Sequence, residues 1–322
     1  MSKQKVEQIK QEKLEMQKCR KINDPLDTYV AERISVFIAK FFIKRDASPN
    51  TVTLFSTVLG ILGSLCLIFS NIWTTVVGVI IILFSYCFDC ADGQVARALH
   101  KGSLYGRCFD GFSDGIVYFA IYVCVAVRLM LYGNIPFTNI PWKGWIWLIV
   151  VPTGVYFHGG QSRIADYYKN VYMYLCDNSH CELSRSFKVS EECKKDSTNW
   201  FKKLVFSSYV SYTKSQEKNT PNLQKLLQKI DENNTVVPEK VSQMWMKGTN
   251  HTIILTNILV FNYRTYLLGL LLILGVAIPG MIGLEFWIFP IVIILFEGVK
   301  IFLIIKYEKL AKKVYQECYS NN

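Results

Sequence analysis

Residues 89–114 read DCADGQVARALHKGSLYGRCFDGFSD, and the chain on either side is close to hydrocarbon: TTVVGVIIILFSYCF over 74–88 and GIVYFAIYVCVAV over 115–127. Flanks of that kind predict helices at membrane depth, and the stretch between them carries Asp89, Asp92, Asp110 and Asp114. A carboxylate at the centre of a membrane helix costs roughly 3 kcal/mol even on lenient insertion scales. Four of them need a positive partner to hold.

Working outward, the composition is 51% hydrophobic and 14% aromatic. Its apolar residues cluster into runs near the roughly 20 residues that cross a bilayer core. Hydropathy predicts an all-α polytopic membrane protein with six transmembrane helices, at about 53–70, 73–99, 104–132, 145–163, 265–283 and 285–306. Ahead of them, Leu26, Tyr29, Val30, Ile34, Phe37, Ile38, Phe41 and Phe42 recur at helical spacing, with Glu32, Arg33, Lys40 and Lys44 largely opposite. Residues 25–47 therefore read as an amphipathic helix lying in the interface. Pro49 ends it, because a residue before proline is driven out of the helical region. The division is a polar leader over 1–24 without a signal-peptide h-region, the interfacial helix, four spans over 48–163, a polar insertion over 164–264, two spans over 265–306 and a tail over 307–322. Within the insertion, IADYYKNVYMYL and NLQKLLQKID read as short helices, with KSQEKNTPN and DENNTVVPEK as loops.

The net charge of +11 is spread by topology rather than gathered on one soluble face, which disfavours nucleic acid and fits a membrane surface. Lys and Arg are dense in the leader, the 100–107 turn, the insertion and the tail, and sparse in SNIWT, GNIPFTNIPWKG and PGMIGLEF. The positive-inside rule then places both termini and the Asp-rich turn in the cytosol. Ten cysteines show no framework and read as free thiols in a reducing compartment. Cys176, His180 and Cys181, with Cys193 downstream, match no common zinc spacing.

Asp89 and Asp92 stand i,i+3 at the end of one span, and Asp110 and Asp114 stand i,i+4 at the start of the next, so each pair shares a helix face. A short turn brings two such faces together. Oxygen-only ligands point to a hard divalent ion, Mg²⁺ or Mn²⁺, and four carboxylates suffice for two ions. Gly93 and Ala96 continue the first face with almost no side chain, Ser103 and Gly106 continue the second, and Arg97 can meet a phosphate. A buried ion-pair network is the plainer alternative, but Arg97 and Arg107 cannot neutralise four acids.

The pattern Asp-x2-Asp-Gly-x2-Ala-Arg-x8-Gly-x3-Asp-x3-Asp resembles the signature of the CDP-alcohol phosphotransferase (phosphatidyltransferase) family, with SPNTVT before the first span and six spans in support. The resemblance does not reach residues 1–24 or most of 164–264. It implies transfer of a substituted phosphoryl group from a CDP-linked donor to an alcohol, with release of CMP. It also implies that Asp89, Asp92 and Asp110 hold a dinuclear metal centre, with Asp114 touching a metal and taking the proton from the attacking hydroxyl. Ser48, Pro49, Asn50, Thr51, Gly93, Ala96, Arg97, Ser103 and Gly106 are the expected CDP-binding residues, and a homodimer is the family expectation. Lys101, Arg107, His158 and Gln161 are candidates for the acceptor, the last two with Ser162 and Asp166 near a span's cytosolic end. Turn residues that merely collect positive charge, or a helix leaving the membrane, account for them about as well.

Glu297 and Lys300 suit a mutual salt bridge, with a pocket role as the alternative, and Asn257, Asn262 and Arg264 suit interfacial anchoring ahead of lining the site. The expected activity is phosphatidyl transfer from CDP-diacylglycerol to a polar alcohol. Its alternatives are a CDP-alcohol donor with diacylglycerol as acceptor, and, in another class, a transporter or ion-site protein. The transporter would need acids spread across the bilayer, whereas these lie at one depth.

Overall fold

The computed structural model describes residues 31–176, 183, 185–196, 199–232 and 237–319. Among them the secondary structure is helical apart from one isolated bridge between Asn134 and Pro141. The chain forms two compact units, Met1–Gly154 with Leu267–Trp287 and Val155–Tyr266 with Ile288–Asn322. Four helical stretches are long and apolar enough to cross a membrane: Pro49–Cys66, Ile72–Ala98, Leu104–Tyr132 and Leu284–Tyr319. This is the signature of an integral membrane protein. The expected stretch at 145–163 is a 3-10 turn, a five-residue helix, a π-turn over Pro152–His158 and the start of a further helix. The one at 265–283 is a shorter apolar helix, Asn262–Ala277.

The first unit begins with α1 (Glu32–Ile43), followed by α2 (Pro49–Cys66), α3 (Ile72–Ala98) and α4 (Leu104–Tyr132). Ser48 is extended and Pro49 opens α2, a position where a missing N–H costs nothing and the fixed φ is already helical. The pattern of α2 is inverted relative to a soluble helix. Its buried positions are Val52, Thr53, Ser56, Thr57, Gly60, Gly63 and Ser64, while Leu54, Phe55, Val58, Leu62 and Leu65 are exposed. Lipid solvates large apolar side chains as well as a protein core does, so helices in it associate through small residues that let backbones approach. A Cβ on Gly78 of α3 would stand 2.8 Å from the Gly63 carbonyl oxygen, and one on Gly63 would stand 2.9 Å from that of Gly78. Further along, Ser56 Oγ donates to the Ser85 carbonyl at 3.0 Å and Ser85 Oγ to that of Ser56 at 2.8 Å. Gly60 accepts the Val117 side chain of α4 against its backbone.

About four turns beyond Asp114 along α4, Arg128 is buried. It donates to Glu285 at 2.8 Å, to the carbonyls of Leu67 and Phe69 at 3.1 and 2.6 Å, and to Thr75 Oγ1 at 3.0 Å. One guanidinium thus satisfies two carbonyls of the link that follows α2. α1 packs Ile38 and Ala39 with Val52 of α2 and Cys87, Ala91 and Val95 of α3, while Phe37 and Phe41 remain exposed.

The second unit holds α5 (Gly159–Cys176), α6 (Ser186–Asp196), α7 (Trp200–Lys218), α8 (Pro221–Glu232), α9 (Glu239–Thr249) and α11 (Glu297–Tyr319); α10 (Phe261–Ala277) runs from this unit into the first. The expected loop KSQEKNTPN is overturned. α7 continues through Lys218 and leaves only Asn219 and Thr220 before α8. The amphipathic pattern of YVSYTKSQEK carries on to the helix end, and only Pro221 forces a restart. The tail is likewise a continuation of α11, and Glu308 on it accepts the N–H groups of Asn222 and Leu223 at 2.7 and 3.1 Å. That caps two of the orphan donors at the start of α8. Tyr168, Trp245 and Tyr307 form an aromatic core, with Tyr168 and Tyr307 centroids 4.4 Å apart. Tyr167 is buried and accepts from Gln224 at 2.5 Å; burial pushes its hydroxyl up to about 12, so it stays neutral.

Candidate active site

The turn from α3 to α4 is what assembles the aspartates. Leu99 and a left-handed His100 end α3. Ser103 then caps α4, its Oγ accepting from the Gly106 N–H at 2.9 Å, and the chain reverses within five residues. A carboxylate oxygen from each of Asp89, Asp92 and Asp110 lies within 4.8 Å of the others. Asp92 is buried and the other two are half-buried. Asp114, one turn further along α4, does not join that trio, yet it lies close enough to Asp89 and Asp92 for their charges to repel. Three convergent anionic oxygens with no nitrogen or sulfur among them are the donor set of a hard divalent cation. The residues fit such an ion.

Thr53 of α2 adds a contact that the motif does not signal. Its hydroxyl lies 2.5 Å from Asp92 Oδ2 and 3.2 Å from the Pro49 carbonyl. Thr53 closes the SPNTVT stretch, but nothing in that stretch says which carboxylate it meets. Donation to Asp92 fixes one lone pair and aims the remainder of the carboxylate at the trio. Behind Asp92, Gln94 donates to Ser35 Oγ at 2.7 Å and ties α1 to α3.

Several expected donor-binding residues adjoin. A Cβ on Gly106 would stand 3.1 Å from Ser103 Oγ and 3.3 Å from Asn50 Oδ1, so the first turn of α2, with Ser48, Pro49, Asn50 and Thr51, borders the first turn of α4. At Gly93 the open space is occupied from within the helix: Arg97 lies back along α3, its Nη1 3.4 Å from where a Cβ would be. Ala96 is half-buried beside it and Arg97 itself is exposed. Gly111 and Gly115, beside Asp110 and Asp114, face open space, a feature with no precedent in the expected set. Of the acceptor candidates, Arg107 is exposed, and Lys101 pairs with Asp46 at 2.7 Å, joining the α3–α4 turn to the α1–α2 link.

His158 and Gln161 belong to the second unit, where both are buried. Gln161 donates to the Val292 carbonyl at 2.9 Å and to Glu297 at 3.0 Å, and accepts from Arg264 at 2.8 Å. Arg264 also donates to Ser162 at 3.0 Å, Glu297 pairs with Lys300 as expected, and Asp166 accepts from Tyr212 at 3.1 Å. Asn257, Asn262 and Arg264 are buried here. That overturns their assignment as interfacial anchors, which would stand exposed at the headgroups. The eight cysteines among the described residues form no disulfide. His180 and Cys181 of the zinc alternative, and the leader, lie outside the described residues.

The family model of CDP-alcohol phosphatidyltransferases matches residues 47–159, the stretch that supplies the four aspartates, Thr53 and the two bordering helix starts. Residues 47–159 are thus similar to that family's domain. A protein of Aquifex aeolicus (strain VF5), itself described as uncharacterized, is 32% identical over 101 residues, which are 30% of this chain and 48% of the relative. The chain thus spans about half the length of the curated relative it matches. No solved structure matches.

Proposed function

We propose that the protein transfers a phosphatidyl group from CDP-diacylglycerol to the hydroxyl of a polar alcohol and releases CMP. The observation that carries this is the convergence of Asp89, Asp92 and Asp110 within 4.8 Å, inside residues matched by the CDP-alcohol phosphatidyltransferase family. Asp89, Asp92 and Asp110, with Asp114 at the edge, would hold two Mg²⁺ or Mn²⁺ ions. Bound there, such ions supply positive charge to the donor pyrophosphate and to the leaving CMP.

The chain's own groups perform the remaining tasks. The first turn of α2, opened by Ser48 and Pro49, presents the Asn50 N–H and the Asn50 and Thr51 side chains, while the Thr51 N–H is spent on the Ser48 carbonyl at 3.0 Å. Ser103 and Gly106 border it, and Arg97, Lys101 and Arg107 add positive charge on the same turn. Asp114 takes the proton from the acceptor hydroxyl. The acceptor oxygen then bonds to the phosphorus that carries diacylglycerol, the bond from that phosphorus to the CMP oxygen breaks, and CMP leaves with the electron pair. A positioned base of this kind contributes about 10²–10⁴-fold. The membrane lipid supplies the donor, the site faces the cytosol by its Lys and Arg, and the working form is a homodimer.

The test is CMP release by purified protein in lipid nanodiscs. CDP-diacylglycerol and a panel of polar alcohols should yield CMP and a new phospholipid in equal amounts, lost in EDTA and restored by Mg²⁺ or Mn²⁺. Turnover only with a CDP-alcohol and diacylglycerol would reverse donor and acceptor, and full activity in chelator would remove the metal assignment.

A further inference from the structure

The pair of helices α6 and α7 lies outside the matched residues and outside the transfer chemistry. Its inner side is a built core. Val189, Val205 and Phe206 are buried, and Glu217 in the last turn of α7 accepts the Ser186 N–H and hydroxyl at 2.8 and 2.5 Å, tying that turn to the start of α6. The outer side has another character. Trp200 and Leu204, one helical turn apart, are 76% and 46% exposed. Lys203, Ser207, Ser211 and Lys214 continue the same exposed face, and across the link Lys194 and Lys195 are exposed as well. Residues 186–218 hold seven Lys against four Asp or Glu, a net +3.

An indole left in water is unfavourable, whereas at the headgroup level of a bilayer both its apolar body and its N–H are accommodated. Lysines beside it lay their stems along apolar surface and hold their charges at anionic lipid phosphates. An apolar protein partner would have to bury those ammonium groups, so charge complementarity selects lipid. We propose that the α6–α7 pair docks on the anionic surface of the bilayer, with Trp200 and Leu204 inserted at headgroup level and Lys194, Lys195 and Lys203 on lipid phosphates. The α6–α7 pair within the polar insertion is then a membrane-surface element of its own, independent of which alcohol the enzyme uses.

The experiment uses the full chain, in nanodiscs sorted to hold one copy or two, in phosphatidylcholine alone or mixed with phosphatidylglycerol. Trypsin cleavage after Lys194, Lys195 and Lys203 is timed by mass spectrometry, with the exposed Lys225 of α8 as internal reference. Each basic residue at an anionic surface is favoured about fivefold, so the three predict cleavage at least about tenfold slower in the anionic discs. High salt should abolish the difference on the unmodified protein, and Trp200→Ser with Leu204→Ser should reduce it. Equal rates in both lipids overturn the proposal. So does protection confined to discs holding two copies, which would assign the face to self-association.

Discussion

Asp114 and Asp92 differ in what surrounds them. Asp92 is buried, accepts from Thr53 at 2.5 Å and points into the carboxylate trio, whereas Asp114 stands a turn away beside the open face at Gly111 and Gly115. Asp114→Asn keeps one oxygen but cannot take a proton. Donor affinity by calorimetry should fall only modestly while single-turnover CMP release drops about 10²–10⁴-fold. Asp89→Asn and Asp92→Asn should instead weaken metal and donor binding together. Near-normal turnover in Asp114→Asn would assign the proton to another group. Thr53 is tested by Mn²⁺ affinity measured by EPR, separately from turnover. Thr53→Val removes the donor at nearly constant volume, and partners behind a metal ligand commonly contribute 10–100-fold in affinity, so a loss of about tenfold is expected, with Thr53→Ser retaining most of it. The convergence of Asp89, Asp92 and Asp110 was legible because acids in an apolar run demand an explanation. Thr53 was not, because a Thr in a membrane helix is ordinary until its partner is known.

At the scale of elements, the close approach of α2 and α3 rests on Gly63 and Gly78. Gly78→Leu would drive a side chain into the Gly63 carbonyl, whose oxygen is 2.8 Å from the ideal Cβ position. Overpacking of that kind costs about 1–3 kcal/mol, and here the neighbour is backbone, so the value should fall at the upper end. A lowered melting temperature in detergent and loss of monodisperse protein are expected. Gly111→Ala, which faces open space, should leave the melting temperature unchanged, and equal effects would remove the seam from the account. The start of α4 at Leu104 falls where hydropathy placed it, whereas Pro49, read only as the end of the preceding helix, also opens α2 four residues ahead of the expected span. The seam was harder to see, since Gly, Ser and Thr scattered through hydrophobic runs lower hydropathy only slightly and reveal their shared face only once a partner helix is in place. Pro152 marks the start of the π-turn within 145–163, a break that a window averaging hydrophobicity does not register.

For the whole molecule, the buried Arg128–Glu285 pair marks the limit of patterns read by charge alone. Both residues are 1% exposed in side chain, and neither stands out in a sequence where basic residues otherwise report topology. Arg128 is held by four acceptors, so it says nothing of orientation, and discounting it leaves the asymmetry intact. GNIPFTNIPWKG has one Lys and no Arg, whereas the short turn over 100–107 at the other end of α4 holds Lys101 and Arg107. The positive-inside rule counts such residues near span ends in short loops, and on that basis Asn134 and Ser211 belong on opposite sides of the membrane. Both are exposed. With reactive native thiols replaced, Asn134→Cys and Ser211→Cys in sealed, uniformly oriented vesicles should label with a membrane-impermeant maleimide from opposite faces. Labelling of both from one face would require an even number of crossings between them. Since Leu104–Tyr132 ends before Asn134, the stretch 143–176 would then have to lie along the interface or re-enter it, and the six spans expected from hydropathy would fall.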